Sequence, residues 1–164
     1  MAKYDDASWH YEGDYPSDLS AENAATHIGM FIAWLIENDL MSDEQIEEFY
    51  DDIQKVKRRD LSGAEYLINN LDEKFCDDDL SDLGNDFTQD YYMDNKSFTK
   101  NRGDYTGDYC NVFNAFDENN PIDKPSKYET VYHVENSWEN YDLIKKIIDQ
   151  RFAEWKAYKN PPQN

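Results

Sequence analysis

The sequence predicts a mainly α, single-domain bundle of five or six helices, with an extended N-terminal arm and at most a small β-hairpin. Three observations carry this expectation. The run "AATHIGMFIAWLI", residues 24–36, is apolar around most of a helical circumference, the pattern of a helix buried in the middle of a domain. "SDEQ" from Ser42 and "SGAE" from Ser62 both fit the capping box that opens a helix. Near the C-terminus, Trp138, Tyr141, Ile144, Ile148, Phe152 and Trp155 recur at steps that keep one helical face apolar. With 164 residues and 15% aromatic side chains, one core can bury roughly 70% of the surface the unfolded chain exposes.

Residues 1–19 read as an extended arm. In "KYDDASWHYEGDYP", residues 3–16, Tyr4, Ala7, Trp9 and Tyr11 are placed to pack against the first helix, with Asp5, Asp6 and Asp14 capping or turning the chain. Residues 20–95 form the helical core. Its first helix spans 20–40 with Ser20 as cap, and Gly29 in its interior costs about 1 kcal/mol relative to alanine, which implies close approach by another element. From Ser42, acids at 43, 44, 47 and 48 precede Lys55, Lys57, Arg58 and Arg59, so each charge sits at the helix end whose dipole favours it. Ile46, Phe49, Tyr50, Ile53 and Val56 are its apolar stripe. The helix from Ser62 carries Ala64, Leu67, Ile68 and Leu71 and extends to Phe75. Another starts at Ser81, with Leu83, Phe87 and Tyr91 on one face.

Residues 96–127 form an irregular insert, with a short helix near 105–116 followed by a loop. Residues 128–158 supply a short strand in "YETVYHVEN" and then the C-terminal helix, which "NPPQN" stops.

The balance of 36 acidic against 16 basic residues gives a net charge of −20. Such a field repels nucleic-acid backbones and anionic membranes and attracts basic proteins. The longest strongly apolar run, residues 28–36, is too short to span a bilayer, and no basic segment precedes an apolar one at the N-terminus, so a cytoplasmic protein is expected. Cys76 and Cys110 stand apart, which fits a reducing compartment.

Signatures of catalytic chemistry are sparse. The sequence has no HExxH, no GxSxG elbow and no phosphate-binding glycine loop. "CDDDLSDLGND" fails the calcium-loop template: counting from Asp77, Asp82 stands where glycine is needed and Thr88 where glutamate is needed. No cofactor and no resident metal is expected. His27 lies on the apolar side of its helix beside Phe31 and reads as a core histidine. His10 follows Asp6 by four positions and Asp5 by five, so Asp5, Asp6, Trp9, His10 and His27 make an alternative pocket, for a metal or for acid–base work, if the arm folds back.

Residues 72–95 hold nine acids and one lysine interleaved with apolar and aromatic side chains. A solvated helix face accounts for this run; so does a docking surface for a basic protein. In the second reading Asp77, Asp78, Asp79, Asp82, Asp86, Asp90 and Tyr92 make the contacts, acids speeding encounter and tyrosine supplying area.

"KYDDASWHYEGDYP", "ATHIGMFIAW", "DEKF", "YY", "VYHVENSWENYD" and "RFAEW", in that order, resemble a family of small acidic bacterial proteins of uncharacterised function. The matching segments run from about Lys3 to Trp155, and the stretch between Lys96 and Ser126 departs from the pattern. The resemblance implies a bacterial cytoplasmic protein and, by analogy with such families, an immunity protein that neutralises a cognate toxin without being an enzyme. Two other readings stand beside it. One is an enzyme or a metal- or ligand-binding domain using the N-terminal Asp/His cluster, and the other is an acidic DNA mimic that inhibits a DNA-binding enzyme.

Overall fold

In the computed structural model, which describes residues 1–120 and 125–162, the chain folds around helix α2, Thr26–Glu37. Its residues Thr26 to Ile36 are all buried, as an all-round apolar helix requires. Helix α5, Gly63–Asn70, crosses it where the two backbones touch: a Cβ added to Gly29 would lie 2.2 Å from the Ala64 nitrogen, and one on Gly63 would lie 1.8 Å from the Gly29 carbonyl oxygen. The interior glycine of α2 therefore has its predicted cause.

The arm is not simply extended. Strand β1, Lys3–Asp6, runs straight into helix α1, Ala7–Tyr11. β1 pairs antiparallel with β2, Lys74–Cys76, so the small sheet joins segments far apart in sequence rather than forming a hairpin. The helix from Ser62 stops at Asn70, short of Phe75, because Asp72 and Glu73 both adopt left-handed backbone conformations (φ 52° and 65°) that end the helix and launch β2. The capping box at Ser62 is formed as expected.

Other boundaries also shift. Ser20 makes no side-chain cap, and a 3₁₀ turn, Ala21–Ala25, precedes α2. The helix expected from Ser42 is two, α3 (Asp43–Glu48) and α4 (Tyr50–Lys57). Phe49 breaks it at φ −119°, ψ 33°, and its ring meets Tyr66 edge-on. The break aims Ile53 and Val56 into the core but leaves Ile46 and Tyr50 exposed.

Helices α6 (Asp82–Tyr91) and α8 (Tyr105–Phe113) flank α2, with the single-turn α7 (Lys96–Thr99) between them in sequence. The loop expected after α8 includes residues 121–124, which lie outside the described residues, as do residues 163–164 of the C-terminal stop. "YETVYHVEN" is not a strand: the Thr130 side chain accepts a hydrogen bond from the Tyr132 amide and curls Val131–His133 into a 3₁₀ turn. The long α9, Trp138–Lys159, buries Tyr141, Ile144, Ile148 and Trp155.

Phe31 of α2 is the hub of the core. Its ring lies 5.0–6.2 Å from those of Trp34, Phe75, Phe87, Tyr91, Tyr92 and Tyr105, and aromatic pairs of this kind add about 0.5–1.5 kcal/mol each beyond burial. One buried ion pair ties the shell together. Arg151 of α9 donates to both oxygens of Asp108 on α8, at 2.9 and 3.0 Å, and the Tyr91 hydroxyl of α6 donates to the same carboxylate at 2.7 Å. Cys76 and Cys110 are both buried and unpaired. Among the described residues no helix is long and apolar enough to cross a membrane.

Candidate functional site

Two regions match the sequence expectations in part. The first lies where β1, α1 and α2 meet. Pairing of Asp5 with Phe75 and Lys3 with Cys76 leaves an irregularity between Lys3 and Asp5. Bulges of this sort re-aim side chains, and Tyr4, Asp5 and Asp6 are all buried instead of alternating. Asp6 caps α1, accepting from the Ser8 amide at 2.9 Å, and pairs with Lys3 at 2.8 Å. That cap starts the turn that brings His10 back over Asp5.

Asp5 Oδ1 then accepts from His10 Nε2 at 2.7 Å and from the Asp6 amide at 2.8 Å, while Oδ2 accepts from the Tyr92 hydroxyl at 2.5 Å. His27, in the first turn of α2, holds Nε2 3.6 Å from Asp5 Oδ2, beyond hydrogen-bonding distance. The His10 and His27 rings meet edge-on at 4.7 Å. Burial acts to raise the Asp5 carboxyl, but His10 and His27 beside it outweigh burial and hold it well below the usual carboxylate range. Burial pushes the His27 imidazole down, against the pull of Asp5, so it is neutral near pH 7. With Asp5 ionised, His10 Nε2–H is the donor in their bond, and His10 Nδ1 lies 2.7 Å from the Tyr132 hydroxyl, from which the Nε2–H tautomer accepts.

The result is a carboxylate–imidazole–phenol relay that ends at a cavity of about 210 Å³. Thr106, Tyr109, Asp117 and Asn119 form its far wall. Burial raises the Tyr132 phenol to about 12, so it stays protonated. Two buried atoms in the cavity wall, His27 Nδ1 and the Tyr109 hydroxyl, have no hydrogen-bond partner among the described residues. Such a relay can orient an imidazole for proton transfer, and Asp5, His10 and His27 each offer a ligand atom, all within 4.8 Å of one another.

The structure thus brings together three of the five residues of the alternative pocket. Asp6 serves the local cap. Trp9 is 56% exposed, with the Lys3 ammonium 5.0 Å from its ring centre, because the turn into α1 carries it off the core. Tyr92, Tyr109 and Tyr132 join the pocket beyond what the sequence predicts, since no local pattern ties residues 92, 109 and 132 to an aspartate at position 5.

The second region is the acidic stretch. Asp78, Asp82 and Asp86 are exposed and Asp77 half-buried, which fits a solvated helix face and a docking face alike. Three of the expected contacts turn inward. Tyr92 is buried against Asp5. Asp79 accepts from the Cys76 amide at 2.8 Å, and burial, reinforced by Asp78 and Asp77, raises its carboxyl to about 6. Asp90 is buried and accepts from Trp155 Nε1 at 2.8 Å and Lys159 Nζ at 3.1 Å. Burial acts to raise its carboxyl, but these donors and Asn95 outweigh it and lower it overall.

What the face loses there it regains from α3 and α4. Met41 bridges to Leu80, the Ser42 amide donates to the Asp79 carbonyl at 2.9 Å, and the Ser81 amide donates to that of Leu40 at 2.9 Å. The capped N-termini of α3 and α6 therefore sit side by side, and the exposed Asp43, Glu44, Glu47 and Glu48 lie on the element beside Asp78 and Asp82. Among these carboxylates Ile46, Tyr50 and Leu83 are 37%, 56% and 47% exposed.

The family model of a domain of unknown function, DUF7832, matches residues 3–122. No curated protein and no solved structure matches the chain.

Proposed function

The chain belongs to the DUF7832 family, and from its acidic face we propose that it is a bacterial, cytoplasmic immunity protein that binds and neutralises a cognate toxin or effector of basic charge. One observation carries this reading: Ile46, Tyr50 and Leu83 stand exposed among the carboxylates of α3, α4 and α6. Acids around apolar anchors are the division of labour of a fast, tight interface, in which charge steers encounter and desolvated apolar side chains supply affinity. Inhibition needs coverage of the toxin's working surface and no catalytic residue, so the protein is no enzyme in this reading. A net charge of −20 also disfavours nucleic acid and anionic membranes as partners.

The test is recovery of the toxin encoded beside this gene by pull-down, with affinity measured across salt. One basic partner, bound in a salt-sensitive manner and lost in the triple variant Asp78→Lys, Asp82→Lys, Asp86→Lys, is the expected result. Equal binding of several unrelated DNA-binding proteins would replace a cognate toxin with DNA mimicry, and full binding by the triple variant would sink the face itself.

A second reading, a ligand-binding domain or enzyme centred on Asp5, His10 and His27, is favoured by the two unpartnered buried atoms in the wall of one cavity. Buried polar groups without partners are rare and point to a missing water, ion or ligand.

A further inference from the structure

We propose that Asp5, His10 and His27 form a binding site for one zinc ion, with its fourth position open to the cavity beside Tyr132. The inference deepens the second reading above and is independent of the acidic face.

The ligand set is right for this metal. Two imidazoles and one carboxylate are borderline donors of the kind zinc takes in sites that keep an open position. The β1–α1 turn brings Asp5 and His10 together, but His27 comes from α2, so no local turn accounts for its joining them. The spacing is close as well. Tetrahedral zinc with bonds of about 2.0–2.1 Å sets its ligand atoms about 3.3 Å apart. His27 Nε2 and Asp5 Oδ2 stand at 3.6 Å, and His10 Nε2 and Asp5 Oδ1 at 2.7 Å. These are opposite oxygens of one carboxylate, so an Asp5 that binds through one oxygen must turn it toward both imidazoles, whose ligand atoms lie with it within 4.8 Å of one another. The His10–Asp5 contact must open by about 0.6 Å to meet that zinc spacing, exchanging a hydrogen bond for two metal bonds, and His10 sits on the short, partly exposed helix α1.

His27 is the residue that otherwise lacks an explanation. It is 8% exposed, and its Nε2, the nitrogen turned toward Asp5, makes no hydrogen bond to a described residue, while the wholly buried Nδ1 still needs a water or ligand from the cavity when Nε2 holds metal. A core histidine of purely structural role would be hydrogen-bonded. Charge points the same way, because Lys3 is engaged by Asp6 and the buried Asp5 carboxylate faces two imidazoles, the Tyr92 hydroxyl and the Asp6 amide, with no lysine or arginine among its described partners. Tyr132 supplies the outer sphere: once His10 Nε2 binds metal, its Nδ1–H donates to the Tyr132 oxygen, the contact that fixes a ligating histidine's tautomer. Asp18, Glu129 and His133 also come together, but both carboxylates are largely in water, which makes them the control.

The full chain is stripped with a chelator and titrated with zinc by calorimetry in excess magnesium, which occupies the surface carboxylates. Cobalt substitution then reports geometry through its visible absorption. One zinc per chain and a tetrahedral cobalt spectrum are expected. His10→Ala, whose fold is checked by circular dichroism, should weaken binding by about 100-fold or more, and Tyr132→Phe by about 10-fold, the cost of an outer-sphere change. His133→Ala should change nothing. Stoichiometric binding that survives in folded His10→Ala, binding lost in His133→Ala, or zinc displaced by magnesium would each overturn the site. None of these results bears on toxin protection, which tests the acidic face separately.

Discussion

Asp5 and Asp78 are both aspartates on a chain of net charge −20, yet their surroundings are opposite. Asp5 is buried, shares its two oxygens among His10, Tyr92 and the Asp6 amide, and sits on a cavity wall. Asp78 is exposed, in an acidic stretch whose Leu83 is also uncovered. A dense local run of acids marks a surface, whereas a single acid met by groups from distant segments marks a built centre. The same division runs through the stretch 77–90, where Asp79 and Asp90 belong with Asp5 and Asp82 and Asp86 belong with Asp78.

The interior acids should be costly to remove and the face acids cheap. The largest effect is expected at Asp108. Asp108→Ala leaves the largely buried Arg151 guanidinium with only Glu154 among its described carboxylate partners and the Tyr91 hydroxyl without its acceptor, and loss of one partner of a buried pair costs about 3–5 kcal/mol, to be read from chemical denaturation. An effect near zero would show that the pair is hydrated. Asp5→Ala leaves the Tyr92 hydroxyl and the Asp6 amide without an acceptor, for a loss of about 1–3 kcal/mol by the same measurement.

Asp79 sharpens the comparison through pH. Its folded carboxyl titrates at about 6 against an ordinary 3.8, so the folded state holds a proton that the unfolded state has lost between those values. Its contribution to stability therefore falls as pH rises from about 4 to about 6. Asp79→Asn should gain stability relative to wild type over that interval, and a constant difference would place Asp79 outside the interior class. The smallest effect is on the face: Asp78→Asn, Asp82→Asn and Asp86→Asn should each change stability by less than about 0.5 kcal/mol, while binding of a basic partner weakens.

The fold was legible where one signal is local. The all-round apolar run marks α2, the serine caps mark the starts of α3, α5 and α6, and Gly29 foretells the α5 crossing. It was illegible where tertiary contacts override local pattern, as at Phe49, which splits a helix in order to reach Tyr66, and at β1, which pairs with a strand some seventy residues on. The site divides the same way. Asp5 and His10 are neighbours in sequence, but His27 reads as core until its unpartnered nitrogen is seen. Tyr92 stands among acids in sequence and so reads as part of the face, although its hydroxyl donates to Asp5.

One assay sets the two regions directly against each other: protection, on co-expression, from the product of any toxin gene found beside this one, measured side by side for the Asp78, Asp82, Asp86→Lys triple variant and for His10→Ala. The account predicts that the triple variant loses protection while remaining folded and that His10→Ala keeps it. Protection retained by the triple variant and lost in His10→Ala would contradict it, and would move the working surface from the acidic face to the Asp5 centre.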